Sequence, residues 1–225
     1  YWGNPKTTKI MIDKIAQRGF CTLRVPVRWD NHYLDSNYTI QNEYMNRVET
    51  VLNYGLSNNM YVIVNIHHNA IQTMVSTDQS TQERVKDEIK QVWTQIGNRF
   101  KDYGDKLIFE VMNEPRFEND WNGNIALYQI VNEYNEVARK SIRATGGNNL
   151  KRLILLPTYC ASSDIEKILG LQNLSDDKMI AVSIHAYKPF EFAFRGNGRA
   201  SWNKYDDQEL SIYFENLNSN YLKKG

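Results

Sequence analysis

The sequence has few cysteines and no excess of charge of either sign. Its 225 residues include two cysteines, Cys21 and Cys160, which permit one disulfide but are too few for a disulfide framework. Each borders a predicted strand, so we expect both to be buried free thiols. Lys and Arg total 27 against 26 for Asp and Glu. This balance argues against nucleic acid or an anionic membrane as the partner.

Long hydrophobic runs and glycine-rich phosphate loops are also missing. No apolar run approaches the ~18 residues that a membrane-spanning helix needs. No glycine-rich loop of the nucleotide-binding type follows a predicted strand, and there is no low-complexity tract or interdomain linker. With 41% hydrophobic residues, residues 1–225 are expected to form a single domain with a large core.

What the sequence does contain is a regular alternation of strands and helices. The strands are continuous apolar runs, which are typical of parallel strands covered on both faces. Predicted strands cover 22–25, 61–66, a run from 107 that Pro115 stops, 152–156 and 179–184. Predicted helices cover 5–18, 41–59, 80–100, 124–145, 165–169 and 207–224. Asn4 is the expected cap of the first helix, Ser80 with Glu83 forms the expected capping box of the third, and Pro157 is expected to end the fourth strand.

This succession fits an open doubly wound sheet or a (β/α) barrel. The absence of a nucleotide-binding loop favours the barrel. Because an eight-stranded barrel usually takes ~250 residues, we expect an incomplete (β/α)8 TIM barrel with about five strands and six helices. The first strand and the last two would be missing from this chain.

Polar side chains follow the predicted strands, at the end where parallel barrels carry their chemistry. They are Arg24, His67, His68, Asn113, Glu114, His185 and Tyr187. A carboxyl group such as that of Glu114 in a partly desolvated cleft has a raised pKa and can act as a general acid. Loop tryptophans suit the flat faces of pyranose rings, namely Trp2, Trp29, Trp121 and Trp202. Together these features describe a glycosidase cleft better than a phosphate or acyl-transfer site.

Other interpretations stay open for the same residues. Arg24 in an apolar strand is expected to pair with Glu110, since a buried charge needs a partner.

His67, His68 and His185 suggest a metal-dependent hydrolase. However, neighbouring side chains on an extended segment diverge, so one of the adjacent pair should face the cleft and the other the wall. We therefore expect no metal and no cofactor. A carbohydrate-binding protein without catalysis is the third possibility.

Five segments, together with their order, resemble glycoside hydrolase family 5, and most closely its subfamily 4 endoglucanases. They are residues 2–8, 23–27, 66–69, 109–115 and 184–187. The resemblance implies a retaining barrel glycosidase that cleaves β-1,4-glucans, with xyloglucan, xylan or mannan as alternative substrates. It also implies a polysaccharide partner. Because such a substrate is too large to import, we expect a secreted protein. Nothing in the sequence suggests more than a monomer, and any binding or docking modules are expected to lie outside this chain.

The resemblance implies roles for individual residues. Glu114 would be the acid/base, Asn113 would bind the sugar 2-hydroxyl, and Arg24 and Tyr187 would hold the nucleophilic carboxylate. His67 and His185 would orient the catalytic groups. The implied substrate-binding set is His68, Trp2, Trp202, Asn4 and Trp29.

One family feature is not found. The nucleophilic glutamate belongs to the seventh strand, and none of the late glutamates follows an apolar run; these are Glu191, Glu209 and Glu215. We expect the nucleophile to lie beyond Gly225 and residues 1–225 alone to be inactive.

Overall fold

The computed structural model describes residues 3–171, 177–196 and 198–219. Its five strands form one parallel sheet in the order β1-β2-β3-β4-β5. They are β1 (Thr22–Val25), β2 (Tyr61–Asn65), β3 (Leu107–Glu110), β4 (Ile154–Ser162) and β5 (Ile180–His185). The α-helices are α1 (Lys9–Gln17), α2 (Asn42–Leu56), α3 (Gln79–Phe100), α4 (Ile125–Ala144), α5 (Ile165–Leu169), α6 (Phe190–Ala193) and α7 (Lys204–Leu217).

The order of the strands in the sheet distinguishes the two candidate folds. Each strand pairs with the next one along the chain, whereas a doubly wound sheet reverses its order at a switch point. Sequential parallel neighbours joined by helices form the wall of a (β/α)8 barrel. The prediction of an incomplete barrel is confirmed, with five strands in the part of the chain that the structure describes. The described residues form seven α-helices rather than the six expected, because the short α6 was not predicted.

The core lies between this sheet and the helices that cover its outer face. The apolar stripe of α3, which includes Val85, Ile89 and Val92, is fully buried. Trp93 is buried beside it, as predicted, and its indole N–H donates to the Val111 carbonyl at 3.2 Å. Each such side chain contributes ~1.5–3 kcal/mol through burial, so α3 is anchored firmly against the sheet.

Three predicted helix starts are wrong. The last helix, α7, begins at Lys204 with Asn203 as its cap rather than at 207. The first helix begins at Lys9 rather than after Asn4, and the Thr8 hydroxyl accepts its capping bond from the Met11 N–H at 3.4 Å. The cap of α3 is Asp78, whose carboxylate accepts from the Thr81 N–H at 2.8 Å. A carboxylate is a stronger acceptor than a hydroxyl and also favours the positive end of the helix dipole, so Asp78 caps the helix in place of Ser80.

The expectation that Pro157 ends the fourth strand is also wrong, because β4 continues to Ser162. Leu155 faces β3, since its carbonyl accepts from the Val111 N–H at 3.0 Å. Pro157, two residues further on, faces the same side, but β3 has already ended at Glu110. The N–H that proline lacks therefore has no strand to bond to at that point.

The two cysteines are both free, but only one is buried. Cys160 is 6% exposed, and burial raises the pKa of its thiol to about 12. Cys21 is exposed, so the prediction of two buried thiols holds for Cys160 alone. Cys21 immediately precedes β1, at the amino end of the sheet.

Candidate active site

A cavity of about 420 Å³ opens at the carboxyl ends of the strands. Seven residues singled out from the sequence line it: Arg24, His67, His68, Asn113, Glu114, His185 and Tyr187. Parallel strands place their carboxyl ends at one edge of the sheet, so residues as far apart in the chain as Arg24 and Tyr187 meet here. The cavity is the candidate active site.

The floor of the cavity is built on the buried carboxylate of Glu110, which is 2% exposed. Its Oε2 atom accepts from Arg24 Nε at 2.7 Å and from Asn65 Nδ2 at 2.8 Å, and its Oε1 atom accepts from Ser183 Oγ at 2.6 Å. The predicted Arg24–Glu110 pair is present. Both oxygens of Glu110 are occupied by donors, so this carboxylate serves to hold the cavity floor together.

The same arginine orients the side chain of Asn113. Arg24 Nη2 donates to Asn113 Oδ1 at 2.9 Å, which commits the amide oxygen to the protein. The amide NH₂ group is then the part of Asn113 that can donate to a ligand in the cavity.

Glu114 is bonded to His185, with Oε1 2.7 Å from Nδ1 of the imidazole. Burial raises the pKa of Glu114, but the hydrogen bond to His185, followed by the electrostatic influence of His185, Arg116 and His67, outweighs burial. The net pKa lies below the usual value for glutamate. The expectation of a raised pKa is therefore wrong for this chain, because the hydrogen bond and the nearby polar groups stabilise the charged carboxylate more than burial destabilises it.

The adjacent histidines do not diverge as expected. Both rings line the cavity and meet edge to face with centroids 4.3 Å apart. The reason is the backbone of His68, whose φ is 56°. The left-handed region interrupts the alternation of an extended segment, so consecutive side chains turn to the same side.

The hydrogen bonding of His67 defines its protonation. Asn65 Nδ2 lies 3.2 Å from His67 Nδ1, and because an amide nitrogen only donates, Nδ1 must accept. A neutral ring then carries its proton on Nε2. Burial, followed by the charges of His68 and Arg24, lowers the pKa of His67 to about 4, so the ring is neutral above that pH and offers an N–H donor.

The exposed aromatic residues near the site, Tyr187 and the predicted sugar-stacking residues Trp202 and Trp121, are in different environments. Tyr187 lies in the cavity, 46% exposed, and packs against Phe194 with centroids 4.6 Å apart. Trp202 is 43% exposed, outside the cavity lining, and its indole N–H donates to Asp207 at 2.9 Å. Trp121 is also exposed and stacks against the guanidinium of Arg116 at 4.3 Å.

Trp29 was predicted to bind substrate, and the structure corrects that prediction. It is completely buried, and its indole N–H donates to the Asn65 carbonyl at 3.0 Å. A ring sealed in the core cannot stack on a sugar. Asn4 is exposed and is not part of the cavity lining, and Trp2 lies outside the described residues.

Sequence reasoning missed two residues that support the site, Asn65 and Ser183. Both are buried polar residues within strands that otherwise are mostly apolar, and each donates to Glu110. A single polar residue inside an apolar run was the available signal, because a buried polar group must have a partner.

Within the described ranges, no three His, Cys, Asp or Glu side chains form a group able to hold a metal ion. None of the helices described is long and apolar enough to cross a bilayer.

Known proteins of one family match this chain over its whole length. The family described as cellulase (glycosyl hydrolase family 5) matches residues 1–225. The chain is 40% identical over 231 residues to endoglucanase A of Clostridium longisporum, covering 100% of this chain and 44% of that protein. It is 42% identical over 233 residues to endoglucanase B of Clostridium cellulovorans, covering 100% and 52%.

Solved structures give the same result. A broad-specificity GH5-4 endoglucanase from Clostridium cellulovorans is 49% identical with a TM-score of 0.93, and the match covers 100% of this chain and 66% of that one. The structure of ZgEngAGH5_4 with cellotriose is 41% identical with a TM-score of 0.93, covering 99% and 68%. The chain spans about half the length of the curated relatives it matches. With a family match over the whole chain and the same fold, this protein belongs to the cellulase family, glycosyl hydrolase family 5.

Proposed function

We propose that this chain carries the acid/base side of a retaining endo-β-1,4-glucanase active site. The observation that supports the proposal is the cavity in which Glu114 lies beside Asn113 and the three histidines His67, His68 and His185. The relatives reported above are named endoglucanases. A carboxyl group in a cleft with several neutral and cationic donors is suited to general acid/base catalysis on a polyhydroxylated substrate.

In this proposal Glu114 protonates the leaving glycosidic oxygen and later takes a proton from the attacking water. The first step needs the protonated acid, whereas His185 and the nearby cations favour the carboxylate. A second carboxylate about 5–5.5 Å away is required in a retaining mechanism. Its negative charge would raise the pKa of Glu114, so the acid function depends on that partner.

The second carboxylate is proposed to lie outside residues 1–225. Glu110 is in the cavity, but its oxygens are committed to Arg24, Asn65 and Ser183. The late glutamates belong to helices. Glu191 lies on α6 and pairs with Arg195, which follows that helix, and Glu209 and Glu215 lie on α7. None of these three lines the cavity.

The remaining cavity residues are proposed to bind and orient. The Asn113 amide would donate to the 2-hydroxyl of the sugar under attack, and His67 would donate through Nε2. Arg24 and Tyr187 would hold the nucleophile, and His185 would orient Glu114. His68 and the exposed Trp202 would contact neighbouring sugars, since an aromatic face packs well on a pyranose ring.

We propose β-1,4-glucan as the substrate, with a hemicellulose of the same linkage as the alternative. One relative of solved structure, 34% identical, is named a xyloglucan-specific endo-β-1,4-glucanase, and another is described as having broad specificity. A polymer of this size cannot enter a cell, so we also propose that the protein is secreted. We propose separately that it acts as a monomer.

The test is hydrolysis of soluble cellulose and of xyloglucan by the full-length protein and by residues 1–225 alone. In the full-length protein, Glu114→Gln should lower kcat by about 10²–10⁴-fold while cellotetraose still binds. Glu118→Gln is the matched control, since Glu118 is an exposed carboxylate four positions away, and it should leave kcat unchanged. Turnover by Glu114→Gln within tenfold of the unaltered enzyme would refute the assignment. Turnover by residues 1–225 alone would refute the external nucleophile.

A further inference from the structure

A buried carboxylate on α3 has no place in the mechanism proposed above. Glu88 is 5% exposed and lies on the same helix face as Val85, Ile89 and Val92, where an apolar residue would be expected. Its hydrogen-bond partners are two neutral groups, the Tyr33 hydroxyl at 2.9 Å and Asn69 Nδ2 at 3.5 Å. Because burying a carboxylate without a paired cation is costly, stability alone does not account for Glu88.

The two partners of Glu88 belong to the loops that follow β1 and β2. Asn69 Nδ2 donates to the Tyr33 hydroxyl at 3.1 Å, and Asn69 Oδ1 accepts from the Trp29 N–H at 2.8 Å. The next residue, Ala70, donates its N–H to Asp30 at 2.7 Å. The oxygen and the nitrogen of the Asn69 amide are therefore both bonded to the loop after β1. Glu88 bonds to both loops, through Tyr33 and Asn69.

Asn69 directly follows the two cavity histidines. His68 has a φ of 56°, a conformation that is strained for a residue other than glycine and persists only when the surroundings hold it. On the amino side of the pair, the His67 N–H donates to the Val27 carbonyl at 2.8 Å. On the carboxyl side, Asn69 is held by its partners Tyr33 and Glu88, and the His68 N–H donates to Gln72 Oε1 at 3.4 Å.

We propose that Glu88 is a positioning residue, which acts through Asn69 and Tyr33 to keep both imidazoles of His67 and His68 facing the cavity. It touches neither the substrate nor the reacting atoms. The inference deepens the proposed glucanase function and depends on it for its catalytic meaning, but the geometry of the histidine pair can be tested by itself. Burial also raises the pKa of Glu88 above its usual value, as expected for a carboxyl group kept in the core.

The test uses the titration of the histidine rings of this chain by NMR, which is tractable because the chain has four histidines. Glu88→Met replaces the carboxylate with an apolar side chain of similar size, while Glu88→Gln keeps an acceptor for Tyr33 and Asn69. Val92→Ala removes core volume from the same helix face without touching the network, so it reports on general loss of stability. Tyr33→Phe removes the shared hydroxyl and tests the network if Glu88→Met does not fold.

We expect Glu88→Met and Tyr33→Phe to raise the pKa of His67 by about one unit, because a loosened pair admits water and separates the two rings. They should also weaken cellotetraose binding about tenfold, whereas Glu88→Gln and Val92→Ala should change neither quantity. An unchanged His67 titration in Glu88→Met and Tyr33→Phe, or an equal shift in Val92→Ala, would overturn the proposal. Failure of the unaltered chain to bind cellotetraose would count against the proposed function only, since the histidine titration would still report on the positioning.

Discussion

The Nδ1 atom of His185 lies 2.7 Å from the Oε1 atom of Glu114. The contact joins the end of β5 to the segment after β3, and it opposes the effect of burial on the carboxyl group. Of all the groups near Glu114, His185 makes the largest contribution that lowers its pKa. The charge of Glu114 therefore depends on a residue 71 positions further along the chain.

Removal of this contact gives the first prediction. In His185→Ala, burial is expected to dominate, and the pKa of Glu114 should rise above the usual value of about 4.5. The carboxyl carbon resonance of Glu114, followed by NMR from pH 3 to pH 8, measures the change. A titration midpoint that stays at its original position would show that Arg116 and His67 determine the pKa instead.

The Arg24–Glu110 pair gives a prediction about stability. Arg24→Met leaves the carboxylate of Glu110, 2% exposed, without its cation and should destabilise the chain by about 3–5 kcal/mol. Adding Glu110→Gln should restore part of that loss, because a neutral amide is cheaper to bury than an unpaired charge. Urea unfolding of the single and double variants measures both effects. Equal stability of Arg24→Met and the unaltered chain would contradict the compensating role of Arg24.

His67 gives a prediction about pH. Its pKa is about 4 in the folded chain and about 6.5 in the unfolded chain, so the unfolded state binds more protons between these values. Stability should therefore be fully present above pH 6.5 and should fall as the pH decreases from about 6.5 to about 4. In His67→Asn, part of this dependence should disappear. Thermal unfolding across the pH range makes the comparison, and identical slopes for the two proteins would contradict it.

The contrast between two tryptophans gives a further prediction. Trp29→Ala should destabilise the chain by about 3–5 kcal/mol, because it empties a fully buried site. Trp202→Ala should change stability by less than about 0.5 kcal/mol, since the ring is 43% exposed, but should weaken cellotetraose binding. Unfolding curves and calorimetric titration separate the two effects. A loss of stability without a loss of binding in Trp202→Ala would remove it from the substrate-binding set.

Features with a local cause could be predicted from the sequence. The apolar runs of β2 and β5 and the apolar stripe of α3 follow from short-range periodicity. Polar residues at strand ends identified the cavity lining, because parallel strands bring their carboxyl ends to one edge. The burial of Trp93 also followed from its place on the inward stripe of its helix.

Features that depend on packing between distant segments could not be predicted in this way. Pro157 is tolerated in β4 because β3 ends at Glu110, and Trp29 is buried because Asn65 accepts its N–H inside the core. Neither outcome can be predicted from the residues that neighbour Pro157 and Trp29 in the sequence.

The amino-acid sequence by itself determined the strand and helix order, the family, and which polar side chains gather at the cavity, since all three follow from local patterns and motifs. The charge of Glu114 and the convergence of His67 with His68 depend on the tertiary structure. The first is set by His185 on another strand, and the second by a left-handed backbone at His68 beside the contacts of Asn69 with Tyr33 and Glu88. Electrostatic and steric effects of this kind act through space, so they emerge only when the chain is folded.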